Sequence, residues 1–193
     1  MPRSRSTAAA AAACAFFAAV AGVALTDVGE TVVSQGADLV APADDVAAPG
    51  PVVTLAFAGD VHFAGRLSTV PDRTDSTLGP MSAELAAADL AMVNLETSIT
   101  DAGRRTGKEL EDPGNRYWFK TDAAALDVLD RSGVDVVSVA NNHGADYGAA
   151  GLADTLQAAD AGGPVAIVGA GRDDREAYAP FRTRVKGVDV AVL

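Results

Sequence analysis

The 193-residue chain carries 26 acidic against 15 basic side chains, a net charge of −11, with 21% charged and 49% hydrophobic residues. That balance belongs to a globular protein rather than a disordered one, and the acidic surface repels phosphate backbones, which argues against a nucleic-acid partner. Cys14 is the only cysteine, so an intrachain disulfide is excluded.

The chain opens "MPRSRSTAAAAAACAFFAAVAGVAL", with Arg3 and Arg5 ahead of an uncharged, mostly apolar stretch from Thr7 to Leu25. A basic start before such a stretch is the pattern of a secretory signal. The stretch is also near the ~20 residues that span a bilayer, so an uncleaved signal anchor is the alternative. "AVAG" supplies a small-x-small cleavage site after Ala21, and the arginines stay cytoplasmic under the positive-inside tendency. Either reading exports the remainder, anchored to the membrane or secreted. "AAAC" lacks the large aliphatic residue of a lipobox. Residues 26–50, rich in Pro, Gly, Ala and acids with little periodicity, read as a flexible linker, and residues 51–193 as the folded part.

From Pro51 the texture changes. "VVTLAFAG" (52–59) is a continuous apolar run, which predicts a strand buried on both faces. "LGPMSAELAAAD" (78–89) has helical spacing at Met81, Leu85 and Ala88 and leads into a second run, "LAMVN" (90–94). "RYWFK" (116–120) reads as a short strand. "TDAAALDVLDRSG" (121–133) is a helix stopped by Gly133, followed by the third run "VDVVSVA" (134–140). "GAAGLADTLQAADAGG" predicts a further helix and "VAIVGAG" (165–171) a fourth strand. Unbroken apolar strands alternating with helices indicate an α/β sheet covered by helices. "FRTRVKGVDVAVL" (181–193) reads as a hairpin turning at Lys186-Gly187, and because the chain stops inside its second strand it is expected to be the N-terminal part of a longer protein.

Three apolar runs finish in polar groups: "LAFAGDVH" (55–62), "LAMVNLE" (90–96) and "VVSVANNH" (136–143). In open α/β sheets, sites lie outside the carboxyl ends of the strands. If the three strands are parallel neighbours, Asp60, His62, Glu96, Asn142 and His143 meet on one edge. Such oxygen and imidazole donors suit hard or borderline divalent metals, and a cation relieves the repulsion between gathered carboxylates. Each residue also has an ordinary structural explanation: Asp60 as a cap, His62 as a half-buried ring bonded to a carbonyl, Glu96 as a solvated turn residue. Asn141 and Asn142 would then support a left-handed turn, and Asp146 and Gly148 the start of a helix. The chain's only two histidines both fall at these strand ends.

"GDVH", "NLE" and "ANNHGADYGAAGLADTL" resemble the signature blocks of the bacterial capsule-synthesis family called CapA, or poly-γ-glutamate synthesis protein, which is similar in fold to the calcineurin-like metallophosphoesterases. The similarity covers about Val52 to Leu193. The resemblance implies a four-layer α/β/β/α sandwich, incomplete because the chain stops at Leu193, with two divalent ions (Mn, Zn or Fe) at its centre. On this resemblance Asp60 and His62 match the block that holds the first metal, Glu96 takes the place of the bridging aspartate, and Asn142 is a ligand of the second metal. His143 steadies the transferred group or protonates the leaving oxygen, and Asp146 orients His143. Glutamate in place of aspartate lengthens the bridging arm by one methylene. The later histidine blocks that complete the site have no counterpart, so the 193-residue chain is expected to be inactive by itself and to expose an unpaired strand edge.

The expected activity is metal-assisted hydrolysis in capsule or poly-γ-glutamate production, with the capsule polymer or its synthesis machinery as partner and the membrane reached through the N-terminal segment. The alternative is a non-catalytic assembly or export factor that keeps the fold. A third reading, a soluble protein with an unrelated ligand, requires that the leader not direct export.

Overall fold

The structure, a computed structural model, describes residues 50–193; the expected leader and, apart from Gly50, the expected linker lie outside the described residues. The strands are β1 (Leu55–Val61), β2 (Leu90–Leu95), β3 (Ser98–Ile99), β4 (Lys120–Thr121), β5 (Val136–Ser138), β6 (Ala166–Val168), β7 (Phe181–Val185) and β8 (Val188–Val192). The helices are α1 (Met81–Ala87), α2 (Ala124–Arg131), α3 (Gly148–Asp160) and α4 (Asp174–Ala177). Among the described residues, no helix is long and apolar enough to cross a membrane.

The four apolar runs make one parallel sheet in the order β1-β2-β5-β6. Parallel strands need crossovers, and α1 and α2 lie in the connections β1→β2 and β4→β5, with α3 in β5→β6. Strand alternation then divides the apolar residues between two faces. Ala91, Val93, Leu95, Val137 and Val139 pack against Leu85 of α1 and Ala125, Leu126, Val128 and Leu129 of α2. Leu90, Val136 and Val168 face the other way, against Phe181, Val190 and Val192 of the β7–β8 hairpin. The sheet is thus helix-covered on one face and hairpin-covered on the other, an α/β fold in which the second sheet layer among the described residues is two-stranded.

Gly133 closes α2 in the left-handed region, at φ +78°, as a helix-stopping glycine does. It is also where α2 meets α1, because a Cβ there would lie 2.5 Å from Ala86 Cα. The hairpin turn is made by Lys186 and Gly187, both at positive φ (49° and 84°), which fits a two-residue turn matched to strand twist.

Two expectations are corrected. The 52–59 run is not buried on both faces: β1 starts at Leu55 and is an edge strand, leaving Leu55 46% and Phe57 66% exposed. A continuous apolar run does not by itself say whether both neighbours are present. Of the 116–120 run only Lys120 enters a strand, because Trp118 bonds the Thr106 carbonyl through its indole N–H (2.9 Å) and Phe119 stacks between two imidazoles.

The hairpin is tied to the sheet by Lys186, whose ammonium reaches Asp89 Oδ2 at 2.7 Å and the Val52 carbonyl at 3.2 Å. The Lys186 hydrogen bond, followed by those from the Thr54 backbone N–H and hydroxyl, holds the Asp89 carboxyl down from 3.8 to about 2. A depressed carboxyl contributes stability that is present above its unfolded value and lost as pH falls through the folded one. The window is therefore pH 4 down to 2. Wild-type stability is expected to fall more steeply across that window than that of Lys186→Met, as read by urea midpoints at stepped pH. The difference should be modest and shrink in salt, since Lys186 is half exposed. Parallel curves would mean that the contact does not persist in solution.

Candidate functional site

Register places the site. β1 carries one more residue than β2 between the Phe57–Met92 and Asp60–Asn94 pairs, an irregularity of the bulge type that sets Asp60 level with Asn94. The pairing extends past the strand ends through the Glu96 N–H, which donates to the Val61 carbonyl at 2.8 Å. β5 lies on the other side of β2, with Ser138 opposite Asn94. The carboxyl ends of β1, β2 and β5 are therefore neighbours on one edge of the sheet.

An amide chain links these ends. Asn94 Nδ2 donates to Asp60 Oδ1 (2.7 Å), and Asn141 Nδ2 donates to both Asn94 Oδ1 and the Leu95 carbonyl (3.0 Å each). Asn141 Oδ1 in turn accepts the His143 N–H at 2.9 Å. Asn141 thus shapes the 141–146 turn with its side chain; neither Asn141 nor Asn142 has a left-handed backbone. Ser98 Oγ reaches the carbonyls of His143 (2.9 Å) and Gly144 (3.2 Å), holding the same turn from beneath. Gly144 is required there, because a Cβ would run into the Val139 carbonyl oxygen.

His143 is buried, and its Nδ1 lies 2.7 Å from Asp146 Oδ2. A carboxylate only accepts, so Nδ1 carries a proton, and the tautomer this selects for the neutral ring leaves Nε2 bare. Glu96 Oε1 lies 3.8 Å from that Nε2, beyond hydrogen-bond range. Asp146 does not cap α3, whose first turn has no side-chain cap. It is turned inward instead, where Oδ2 also accepts the Phe119 N–H at 2.7 Å. Its Oδ1 meets the Lys108 ammonium at 2.7 Å. The angles there are too oblique for a hydrogen bond, leaving Oδ1 without an aligned donor, so the contact is ionic.

His62 is half-buried directly after β1. Its Nδ1 accepts the Ala64 N–H at 3.2 Å rather than donating to a carbonyl, so its proton sits on Nε2. The Phe119 ring lies between the two imidazoles, with centroids 4.5 Å from His62 and 4.2 Å from His143 and interplanar angles of 18° and 19°. A cavity of about 460 Å³ opens beside Asp60 and His62, floored by Val70, Leu78, Met81 and Leu85.

Of the residues singled out from the sequence, the structure joins Asp60 to the amide chain and His143 to Asp146, with Glu96 near His143. Asn142 is exposed and its side chain makes no hydrogen bond among the described residues; only its carbonyl is held, by Lys108 Nζ at 3.4 Å. Among the described residues, no three His, Cys, Asp or Glu side chains come close enough together to grip one ion. Sequence reasoning passed over Asn94, Lys108 and Phe119. Asn94 had a signal, since Met92, Asn94 and Glu96 share one face at strand period. Lys108 and Phe119 had none, because they arrive from a long irregular segment.

The family model described as "Bacterial capsule synthesis protein PGA_cap" matches residues 54–193. No curated protein matches the chain.

Proposed function

Because the chain belongs to the bacterial capsule synthesis protein family, we propose that it serves capsule production as a metal-dependent hydrolase whose site lies at the carboxyl ends of β1, β2 and β5. One observation carries this reading: three adjacent parallel strand ends bring Asp60, Glu96 and the Asn142–His143 turn to a single edge, beside a buried His143–Asp146 pair with a free Nε2.

The donor set has the chemistry of a divalent-cation site. Asp60 spends one oxygen on Asn94 and keeps Oδ2 free, the Glu96 carboxylate takes no hydrogen bond among the described residues, and the Asn142 amide is unengaged. Asp60, His62, Glu96 and Asn142 would hold the cation, His62 through the tautomer opposite to the one its Ala64 contact selects. A bound cation supplies Lewis acidity and a hydroxide nucleophile at neutral pH. His143, fixed by Asp146, faces the edge with a basic Nε2 suited to moving a proton at the reacting group. A four-layer sandwich would place this edge at its mouth, and the hairpin on the sheet's second face supports that architecture. The bond cleaved would be a phosphoester or an amide of poly-γ-glutamate, on an exported protein held at or released from the membrane by its leader.

The test is cation binding. Titration calorimetry with Mn²⁺ or Zn²⁺ is expected to show micromolar affinity, and Asp60→Ala to weaken it by at least about ten-fold without loss of folding. No binding by the folded chain rejects the reading. Cation affinity that Asp60→Ala leaves unchanged favours the second reading, a non-catalytic assembly or export factor that keeps the fold, for which the solvent-open Asn142 speaks.

A further inference from the structure

We propose that Lys108 is a positioning residue of this site, holding Asp146 and the Asn142 carbonyl so that His143 keeps one orientation. The inference rests on the reading of His143–Asp146 as the working pair, and it concerns a residue on the irregular segment between β3 and β4.

Four observations converge on this side chain. Its backbone is left-handed at φ 49°, a conformation that costs a non-glycine residue energy and persists where the surroundings impose it. Its side chain is only 5% exposed, far below the norm for a lysine. Its ammonium lies 2.7 Å from Asp146 Oδ1, whose own side chain is fully buried, and 3.2 Å from the partly exposed Glu111 carboxylate. It also lies 3.4 Å from the Asn142 carbonyl and 3.3 Å from His143 Nδ1.

The last distance is informative. An ammonium has no acceptor and Nδ1 already carries a proton for Asp146, so Lys108 and His143 do not bond each other. They meet the same carboxylate on opposite oxygens, the His143 Nδ1–H by donating to Oδ2 and the Lys108 ammonium by an ionic contact with Oδ1. With Oδ1 held by Lys108 and Oδ2 shared by the His143 ring and the Phe119 N–H, Asp146 has no freedom to rotate. Phe119, at the far end of the same segment, closes the other side by stacking on the His143 ring. The segment between β3 and β4 is therefore a clamp, with a cation near its middle and an aromatic ring at its end.

The chain has two histidines, so ¹⁵N-histidine labelling yields two ring systems, and His62→Gln assigns them. In the cation-free protein His143 is expected to carry a slowly exchanging proton on Nδ1. Lys108→Met is expected to remain folded by circular dichroism while that proton exchanges at least about ten-fold faster. Lys108→Arg, which keeps a cation opposite Asp146, is expected to stay within about three-fold of the parent. A folded K108M with the parent exchange rate, or a parent without the slow Nδ1 proton, overturns the proposal. Should K108M fail to fold, K108R decides: retention of the slow proton supports the proposal and its loss in a folded protein overturns it. None of these readouts uses a cation or a substrate, so failure of the hydrolase reading leaves them standing.

Discussion

Asp146→Ala is expected to lower the unfolding free energy by about 3–5 kcal/mol, the cost of removing one partner from a buried ion pair. The size follows from what is stranded. Among the described residues the Lys108 ammonium, 5% exposed, keeps only Glu111 as counter-charge, while the Phe119 N–H and His143 Nδ1–H lose their shared acceptor. Glu111 is itself partly solvated and compensates weakly. Asp146→Asn, which retains an acceptor of the same shape but not the charge, should cost less, about 1–3 kcal/mol. Urea unfolding followed by the fluorescence of Trp118, the only tryptophan and a member of the same segment, measures both. A D146A midpoint within about 1 kcal/mol of the parent would show that the Lys108–Asp146 pair is solvated, and the clamp with it.

The neighbouring asparagines should separate stability from ligand binding. Asn141→Ala removes three hydrogen bonds at once and leaves the His143 N–H, the Leu95 carbonyl and Asn94 Oδ1 to find other partners, an expected loss of about 2–4 kcal/mol. Asn142→Ala touches an exposed amide with no hydrogen bond among the described residues, so its stability should stay within about 0.5 kcal/mol of the parent. If Asn142 is a cation ligand, the same variant loses affinity in calorimetry at unchanged stability. Equal stability losses for the pair would mean that the turn is arranged differently from the structure, with Asn142 rather than Asn141 facing inward. Parent-like cation affinity in a folded N142A would remove Asn142 from the ligand set and leave the sites on β1 and β2 to be tested alone.

The difference between these two residues also marks where sequence reasoning stops. "VVSVANNH" announces a strand and a polar turn, because β-branched apolar residues favour buried strands and asparagines follow them into turns. Which of two adjacent asparagines points inward depends on where Asn94 sits on the neighbouring strand, and that is a matter of register. Register in turn depends on the extra residue in β1, for which "AFAG" gives no more than a glycine as a hint. β1 misled for a related reason: a mostly apolar eight-residue run fits a central strand and an edge strand alike, and the neighbour that would cover Phe57 is not a property of the run itself.

The sequence by itself determined the alternation of strands and helices, the hairpin at Lys186-Gly187, the polar groups that finish three of the strands, and the blocks that resemble the family. The first two follow from periodicity and local backbone preference, which act over a few residues, and the last from resemblance alone. Only the tertiary structure decided that Asn141 rather than Asn142 ties the turn, that Asp146 faces a buried lysine, and that Phe119 separates the two imidazoles. The Lys108 and Phe119 contacts join residues more than twenty positions apart through a segment with no period, and a chain without a repeat carries no local sign of what it will touch.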